Sequence, residues 1–478
     1  MTVVSSRRAR GLAAVVALCL AVAGLVAGVD VLTRPAGPQA SGAGVQRVEA
    51  SAPAQARPMP EPARSAPDDA AAADPAAPDQ PGGAAPAQSA GERTADVEAL
   101  LAARATAVLT RDRAAFLAGI DPQAPAFATR QAALFDALAE VPLASWSYVV
   151  HPADSQPADP ALDARYGTWW APRVVLGVAL ESIDADPAEA DHALTFVRRG
   201  ARWYVAADDD FAARGDRTTR EIWDAGPVAV VRGVSALVLG HPGSLTQMRE
   251  LATEVDAAVP RVTAVWGTGW SQRVAVVVPS DQSELATLVR TAGSLNPIAA
   301  LAVAGPVRGG TVRGGDRVLV NPANLGALGA LGRRIVLTHE VTHLAARAAT
   351  GPATPTWLSE GLADHVGYLD TGVPVRAAAG ELRDAVRAGR LPAALPAADA
   401  WSGDNPELGA TYEQAWLAVE LLVERYGRDR VLTFYRNLGG RSGLDPQASL
   451  EQVLRADLGT DVAQLTADWQ AALRRQLG

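Results

Sequence analysis

The spacing of apolar residues changes character several times along this 478-residue chain. Gly11 to Val29 is an uncharged apolar run preceded by Arg7, Arg8 and Arg10. Its length is close to the roughly 20 residues that cross a bilayer as a helix. The reading is a cytoplasmic stretch over 1–10, a single-pass membrane anchor over 11–32, and folded parts outside the cytoplasmic membrane, because flanking arginines stay in the cytoplasm. A cleaved signal peptide is the rival, but its apolar region is usually about 7–15 residues and no small-x-small cleavage site stands out. Residues 33–92 are Pro, Ala, Gln, Ser and Gly with scattered charges and no aromatic ring. Such a segment buries too little apolar surface to offset its ordering entropy, so it reads as a disordered spacer.

A helical period then sets in. Val97, Leu100, Leu101, Ala105, Val108 and Leu109 share a face, and Phe116-Leu117 and Leu134-Phe135-Leu138 suggest two further helices. The pattern turns to strands at Trp146 to Val150, Arg173 to Leu180, Ala193 to Val197 and Arg202 to Ala206, with Gly200 as a hairpin turn. Helices followed by an antiparallel sheet resemble the cystatin-like cone of nuclear transport factor 2, so residues 93–215 are expected to form such an α+β domain. The triplet Asp208-Asp209-Asp210 reads as a solvated strand end, and His151 and His192 as isolated histidines rather than ligands.

From 221 to 478 a second α+β domain is expected, with strands at Ala236 to Leu239, Arg273 to Val278 and Arg317 to Val320. A helix spans Leu245 to Val259, and the remainder from Leu331 is mainly helical. The fold class is therefore α+β throughout, with a helical C-terminal half. Arg317 to Val320 is expected to be an edge strand able to pair with an extended substrate.

Composition narrows the chemistry. The chain carries a net charge of −9 and no lysine, so a nucleic-acid partner, which needs clustered cations, is not expected. The heavy use of Ala, Arg, Gly and Pro points to a GC-rich genome. The one cysteine, Cys19, lies in the N-terminal apolar run, so any metal must be held by histidines and carboxylates.

His339 and His343 are four apart, which on a helix places both imidazoles on one face, one turn apart. With Glu340 between them this is the H-E-x-x-H arrangement: two nitrogens for Zn2+ and a carboxylate beside it as general base for the zinc-bound water. Among only six histidines in the chain, such a spacing is unlikely to be chance. Downstream runs Trp357-Leu358-Ser359-Glu360-Gly361-Leu362-Ala363-Asp364, on a helix that Thr354 would cap with Pro355 first inside it. Zinc with two histidines needs a third protein ligand, for which Glu360 is the natural choice. Asp364, on the same face, would accept from the far nitrogen of His339. His365 points about 100° away from Asp364 and His241 follows a strand; neither is expected to bind metal.

These two motifs resemble the gluzincins, the zinc peptidases typified by thermolysin and aminopeptidase N, and the compact peptidase MA-like group most closely. The resemblance implies zinc ligation by His339, His343 and Glu360 with Glu340 as base. One departure is the gap of sixteen residues from His343 to Glu360, shorter than in those two enzymes. No match exists to the motif by which aminopeptidases hold a free amino terminus. Thr411-Tyr412-Glu413-Gln414-Ala415-Trp416 resembles the aminopeptidase helix whose leading tyrosine donates to the oxyanion, which implies that role for Tyr412. The expected activity is hydrolysis of peptide bonds in a peptide or protein substrate. The rivals are an inactive peptidase-fold scaffold and a zinc hydrolase of another amide or ester.

Overall fold

In this computed structural model the described residues are 88–478, apart from 290–294, 296–297, 305–306, 309–310, 313 and 444. The anchor expected over 11–32 and nearly all of the spacer over 33–92 lie outside them. Among the described residues no helix is long and apolar enough to cross a membrane.

The first helix, α1 (Ala90–Leu109), starts inside the expected spacer. The Ser89 hydroxyl accepts from the Glu92 amide at 3.2 Å while the Glu92 carboxylate accepts from the Ser89 amide at 2.8 Å. This reciprocal cap satisfies two orphan donors, so the helix begins at Ala90 rather than at residue 93. Two helices follow, α2 (Arg113–Leu117) and α3 (Pro125–Ala137). Strand β1 (Leu143–Ser155) precedes helix α4 (Pro160–Tyr166), and β2 (Trp169–Trp170), β3 (Pro172–Leu180), β4 (Ala188–His192), β5 (Thr195–Arg199) and β6 (Arg202–Ala207) come after it. They form two antiparallel three-stranded sheets, ordered β1-β3-β4 and β2-β5-β6. Gly200 makes the β5–β6 turn at φ 62°, a backbone conformation that favours glycine.

The acidic triplet after β6 departs from its expected solvated state. Asp208 is buried and bonds Arg220 at 2.7 Å and Arg130 at 3.3 Å, while Asp210 bonds Arg165 at 2.8 Å. Arginines distant in sequence neutralise these carboxylates, which local sequence does not reveal. Helix α4 and strand β4 also went unanticipated; β4 mixes acidic residues with alanines and carries no apolar period.

The C-terminal part is built on one mixed sheet. Its strands are β7 (Ala229–Arg232), β8 (Ala236–Gly240), β9 (Val274–Val278), β10 (Ala300–Val303) and β13 (Arg317–Val320), in the order β10-β13-β9-β8-β7. A separate short hairpin, β11 (Val307–Arg308) with β12 (Thr311–Val312), links β10 to β13. The inner strands β8, β9 and β13 run parallel, and β7 and β10 pair antiparallel at the two edges. All five residues of β9 are buried, as expected for a strand covered on both faces. Arg317–Val320 is therefore an interior strand, flanked by β9 and β10, and not the edge expected from its sequence. The edge on that side is β10, whose short apolar run Ala300-Leu301-Ala302-Val303 carries no alternation.

The β8–β9 crossover is α5 (Leu245–Trp266), which runs through Pro260 past its expected end at Val259. Proline removes one amide donor, but the buried face of Val255, Val259, Val262 and Trp266 continues on both sides of it. Burying each such side chain contributes about 1.5–3 kcal/mol, which offsets one lost hydrogen bond. The helical half holds α6 (Ala330–Ala346), α7 (Thr356–Tyr368), α8 (Gly380–Arg387), α9 (Leu408–Tyr426), α10 (Arg428–Gly439) and α11 (Val462–Leu477). Helix α6 is wedged between α5, α7 and strand β10, and α7 packs against α9.

Candidate metal centre

Helix α6 carries His339 and His343 one turn apart on the face turned to α7, and α7 brings Glu360 up to them. The three donor atoms form a small triangle. His339 Nε2 lies 3.0 Å from His343 Nε2, and Glu360 Oε2 lies 3.3 Å and 3.4 Å from the two nitrogens. Two donors held about 2.0–2.1 Å from one ion at the tetrahedral angle are roughly 3.3–3.4 Å apart, so the triangle fits a single Zn2+. The donors are chemically right as well: two imidazoles and a carboxylate, all buried. Glu360 Oε2 has no hydrogen-bond partner among the described residues. A buried carboxylate oxygen without a donor is costly, and a cation at the centre of the triangle removes that cost. The cofactor of this site is Zn2+.

The tautomer of His339 follows from its other nitrogen. Nδ1 lies 2.8 Å from Asp364 Oδ1, so the ring donates there and presents the Nε2 lone pair inward. Asp364 outweighs burial and raises the proton affinity of His339 well above the ordinary value. The same interaction makes the ring a better donor to a metal. For His343, burial comes first and lowers its proton affinity, leaving a neutral imidazole. Burial also pushes the Glu360 carboxyl up, but the His343 and His339 rings outweigh it and hold it down to about 2, so it stays ionised.

Close packing of α7 puts Glu360 in place. A Cβ on Gly361 would lie 2.3 Å from the Ala415 carbonyl oxygen of α9, and one on Gly367 would lie 3.0 Å from the Ile335 oxygen of α6. The two glycines let α7 approach both neighbours through the backbone. The start of α7 differs from expectation: Thr356 is its first residue, Pro355 takes the cap position without a side-chain bond, and the Thr354 hydroxyl accepts from the Gly351 amide at 3.1 Å. Proline at residue 355 fixes an extended entry that needs no side-chain cap.

Glu340 is not part of the triangle. Its Oε2 accepts from the Ala302 amide of β10 at 2.7 Å. Burial, then Glu360 and Asp364, push its carboxyl up to about 8 against the pull of His339. A cation in the centre acts in the opposite direction and favours the carboxylate. The Ala302 contact was missed in the sequence because β10 was not recognised; the apolar run 300–303 was its only signal.

Tyr412 lies near the His339 ring. Helix α9 begins at Leu408, so Tyr412 lies a turn inside it instead of leading it. Its ring centroid is 6.4 Å from that of His339 and 5.0 Å from that of Trp401, which it meets edge-on. The adjacent Glu413 accepts from the Leu382 amide at 2.6 Å and the Glu381 amide at 3.2 Å, fixing the start of α8 to α9. Sequence reasoning did not name Trp401 and gave Glu413 no role. His365 turns away from the centre to Glu420 at 2.8 Å, and His241 bonds Pro227 O and Glu284.

Residues 317–475, a third of the chain, match the family model described as the Peptidase MA superfamily. No curated protein matches the chain. Among solved structures, yeast LTA4 hydrolase is similar over 53% of this chain and 40% of its own, at 13% identity and a TM-score of 0.34. A mutant M1 zinc metallopeptidase from Deinococcus radiodurans, bound to a Tyr-Ser-Ala substrate, is similar over 59% of this chain and 58% of its own, at 17% identity and a TM-score of 0.30. The chain thus spans well under two thirds of either protein, and scores at this level do not define a shared fold. His339, Glu340, His343, Glu360, Asp364 and Tyr412 all fall inside the segment that matches the Peptidase MA superfamily model.

Proposed function

We propose that the protein hydrolyses peptide bonds, with His339, His343 and Glu360 holding zinc and Glu340 as the general base. The observation that carries this is the donor triangle with a second, separate carboxylate, Glu340, beside it. When bound, zinc polarises a carbonyl oxygen and makes water a nucleophile near neutral pH. Glu340 takes the water proton and passes it to the leaving amine. Its bond from the Ala302 amide holds the carboxylate in one orientation, leaving its other oxygen for the proton. Asp364 holds the His339 ring in the ligating tautomer. Tyr412 donates to the carbonyl oxygen as negative charge develops there. Strand β10, the sheet edge nearest Glu340, takes the substrate-pairing role first expected of Arg317–Val320.

Incubation of the zinc-loaded full chain with a peptide library tests this. The wild type should cleave, and Glu340→Gln should keep zinc and lose cleavage. A zinc-replete wild type that cleaves no peptide but hydrolyses simple esters or other amides would assign the centre to that chemistry, and one inert to all of these would be a scaffold.

From the sequence alone we also propose that residues 11–32 anchor the protein in the cytoplasmic membrane with the catalytic part outside. Protease added to cells after wall removal should then release a folded fragment by cutting between Thr33 and Ser89; full protection would sink this. The order of α1 to α3 before two antiparallel sheets supports the cystatin-like reading of residues 93–215.

A further inference from the structure

We propose that the turn at residues 180–187, in the N-terminal part, positions the strand that holds Glu340, with Asp184 as the positioning residue; this rests on the hydrolase reading above. The turn is closed by its own hydrogen bonds. Asp184 Oδ2 accepts from the Leu180 amide at 2.8 Å, the Ile183 and Asp184 amides bond back to Leu180 O, and Ser182 sits at φ 61°.

From that turn Asp184 reaches across to the C-terminal sheet. Its carboxylate takes the Arg317 guanidinium on both oxygens, at 2.8 and 2.6 Å, and the Gly315 amide at 3.2 Å. The Asp184 side chain is only 3% exposed, so the pair is largely shielded from water. Next to it, a Cβ on Gly314 would lie 1.9 Å from Asp186 O, a backbone approach that only glycine allows. Arg273 adds a third tie, from its Nε to Ser182 O at 3.3 Å. Within the same stretch, residues 314–317, Asp316 faces Arg347, just past the end of α6, at 3.5 Å.

Arg317 is the first residue of β13, so this fixes where the strand begins. Arg317 pairs with Val303, Val318 with Ala302, and the Ala302 amide donates to Glu340. Two links therefore separate the Asp184–Arg317 pair from the catalytic carboxylate. Strand β10 is four residues long and, among the described residues, has a neighbour on one side only. A short edge strand is a part of a sheet that opens easily unless something outside it holds its register. A shielded bidentate pair suits that role, because removing one partner leaves a charge buried and unpaired.

Hydrogen exchange and kinetics on the full zinc-loaded chain test this. In Asp184→Asn, exchange of the Ala302 amide should speed up on the order of tenfold relative to the β9 amides. Zinc content should stay at the wild-type level. The turnover number should fall by a similar factor with little change in KM, and Asp184→Glu should recover part of both effects. A folded Asp184→Asn with wild-type exchange at Ala302 overturns the proposal, as does faster exchange spread evenly over the sheet. Because exchange needs no substrate, absence of peptidase activity in the wild type would defeat the functional reading without touching this one. If Asp184→Asn does not fold, the exposed Arg273→Gln should show a smaller rise at the same amide, and no rise there overturns the proposal equally.

Discussion

Gly361→Ala should loosen the metal centre although residue 361 supplies no ligand. The added methyl would sit 2.3 Å from Ala415 O and 2.7 Å from Val419 Cγ2. The nearest obstacle is backbone, so it cannot swing aside as a side-chain tip would. Restoring ordinary contact requires α7 and α9 to part by about 1 Å, on the scale at which helix packing resists insertion. Two effects then compete. Alanine favours a helix over glycine by about 1 kcal/mol. Overpacking a tight contact costs typically 1–3 kcal/mol and more where backbone must move. The clash wins, and the net loss of about 1–2 kcal/mol should lower the melting temperature by several degrees, at roughly 2–4 °C per kcal/mol. Glu360 is the preceding residue and moves with the helix. A displacement near 1 Å spoils a triangle whose sides are 3.0–3.4 Å, so zinc affinity should fall at least tenfold. Thermal melts of the metal-free protein and zinc competition against a chelator read the two effects separately. A Gly361→Ala variant with unchanged or higher melting temperature and unchanged zinc affinity would refute the packing argument.

Three other outcomes follow. Asp364→Asn should weaken zinc binding by about 10–100-fold in the same chelator competition, because His339 loses the acceptor that sets its tautomer. Tyr412→Phe should keep zinc, fold and KM while turnover drops on the order of 10²–10³, measured by steady-state kinetics; unchanged turnover would return Tyr412 to a packing role. Burial pushes the Glu413 carboxyl up to about 8 from an unfolded value near 4.5, despite the bonds from Leu382 and Glu381. A raised folded value means stability is fullest below about 4.5 and is lost as pH rises through about 8. The melting temperature of the wild type should therefore fall more between pH 5 and pH 9, roughly bracketing that range, than that of Glu413→Gln.

The centre was legible in the sequence because its geometry is nearly all local. His339 and His343 meet through helix periodicity alone, and Glu360 and Asp364 share a face for the same reason. What remained was to bring α6 against α7, and the glycines that allow it are visible in the sequence without their partners being so. Residues whose role depends on distant chain segments were not legible. Ala302 matters only because a four-residue strand folds beside α6, and Asp208 is buried only because Arg130 and Arg220 arrive to neutralise it. The misplaced edge has the same origin. Arg317–Val320 and Ala300–Val303 are equally short and mostly apolar, and only the sheet order shows which lies inside. Pro260 misled in another way, since local breaking propensity was outweighed by an apolar face that continues through it.

Zinc content of the purified full chain and of two variants, measured by elemental analysis after exhaustive dialysis, tests the central claim most directly. The account predicts one zinc per wild-type chain, retention in Glu340→Gln, and loss in Glu360→Ala, since Glu360 closes the triangle and Glu340 stands outside it. Full zinc in a folded Glu360→Ala would contradict it.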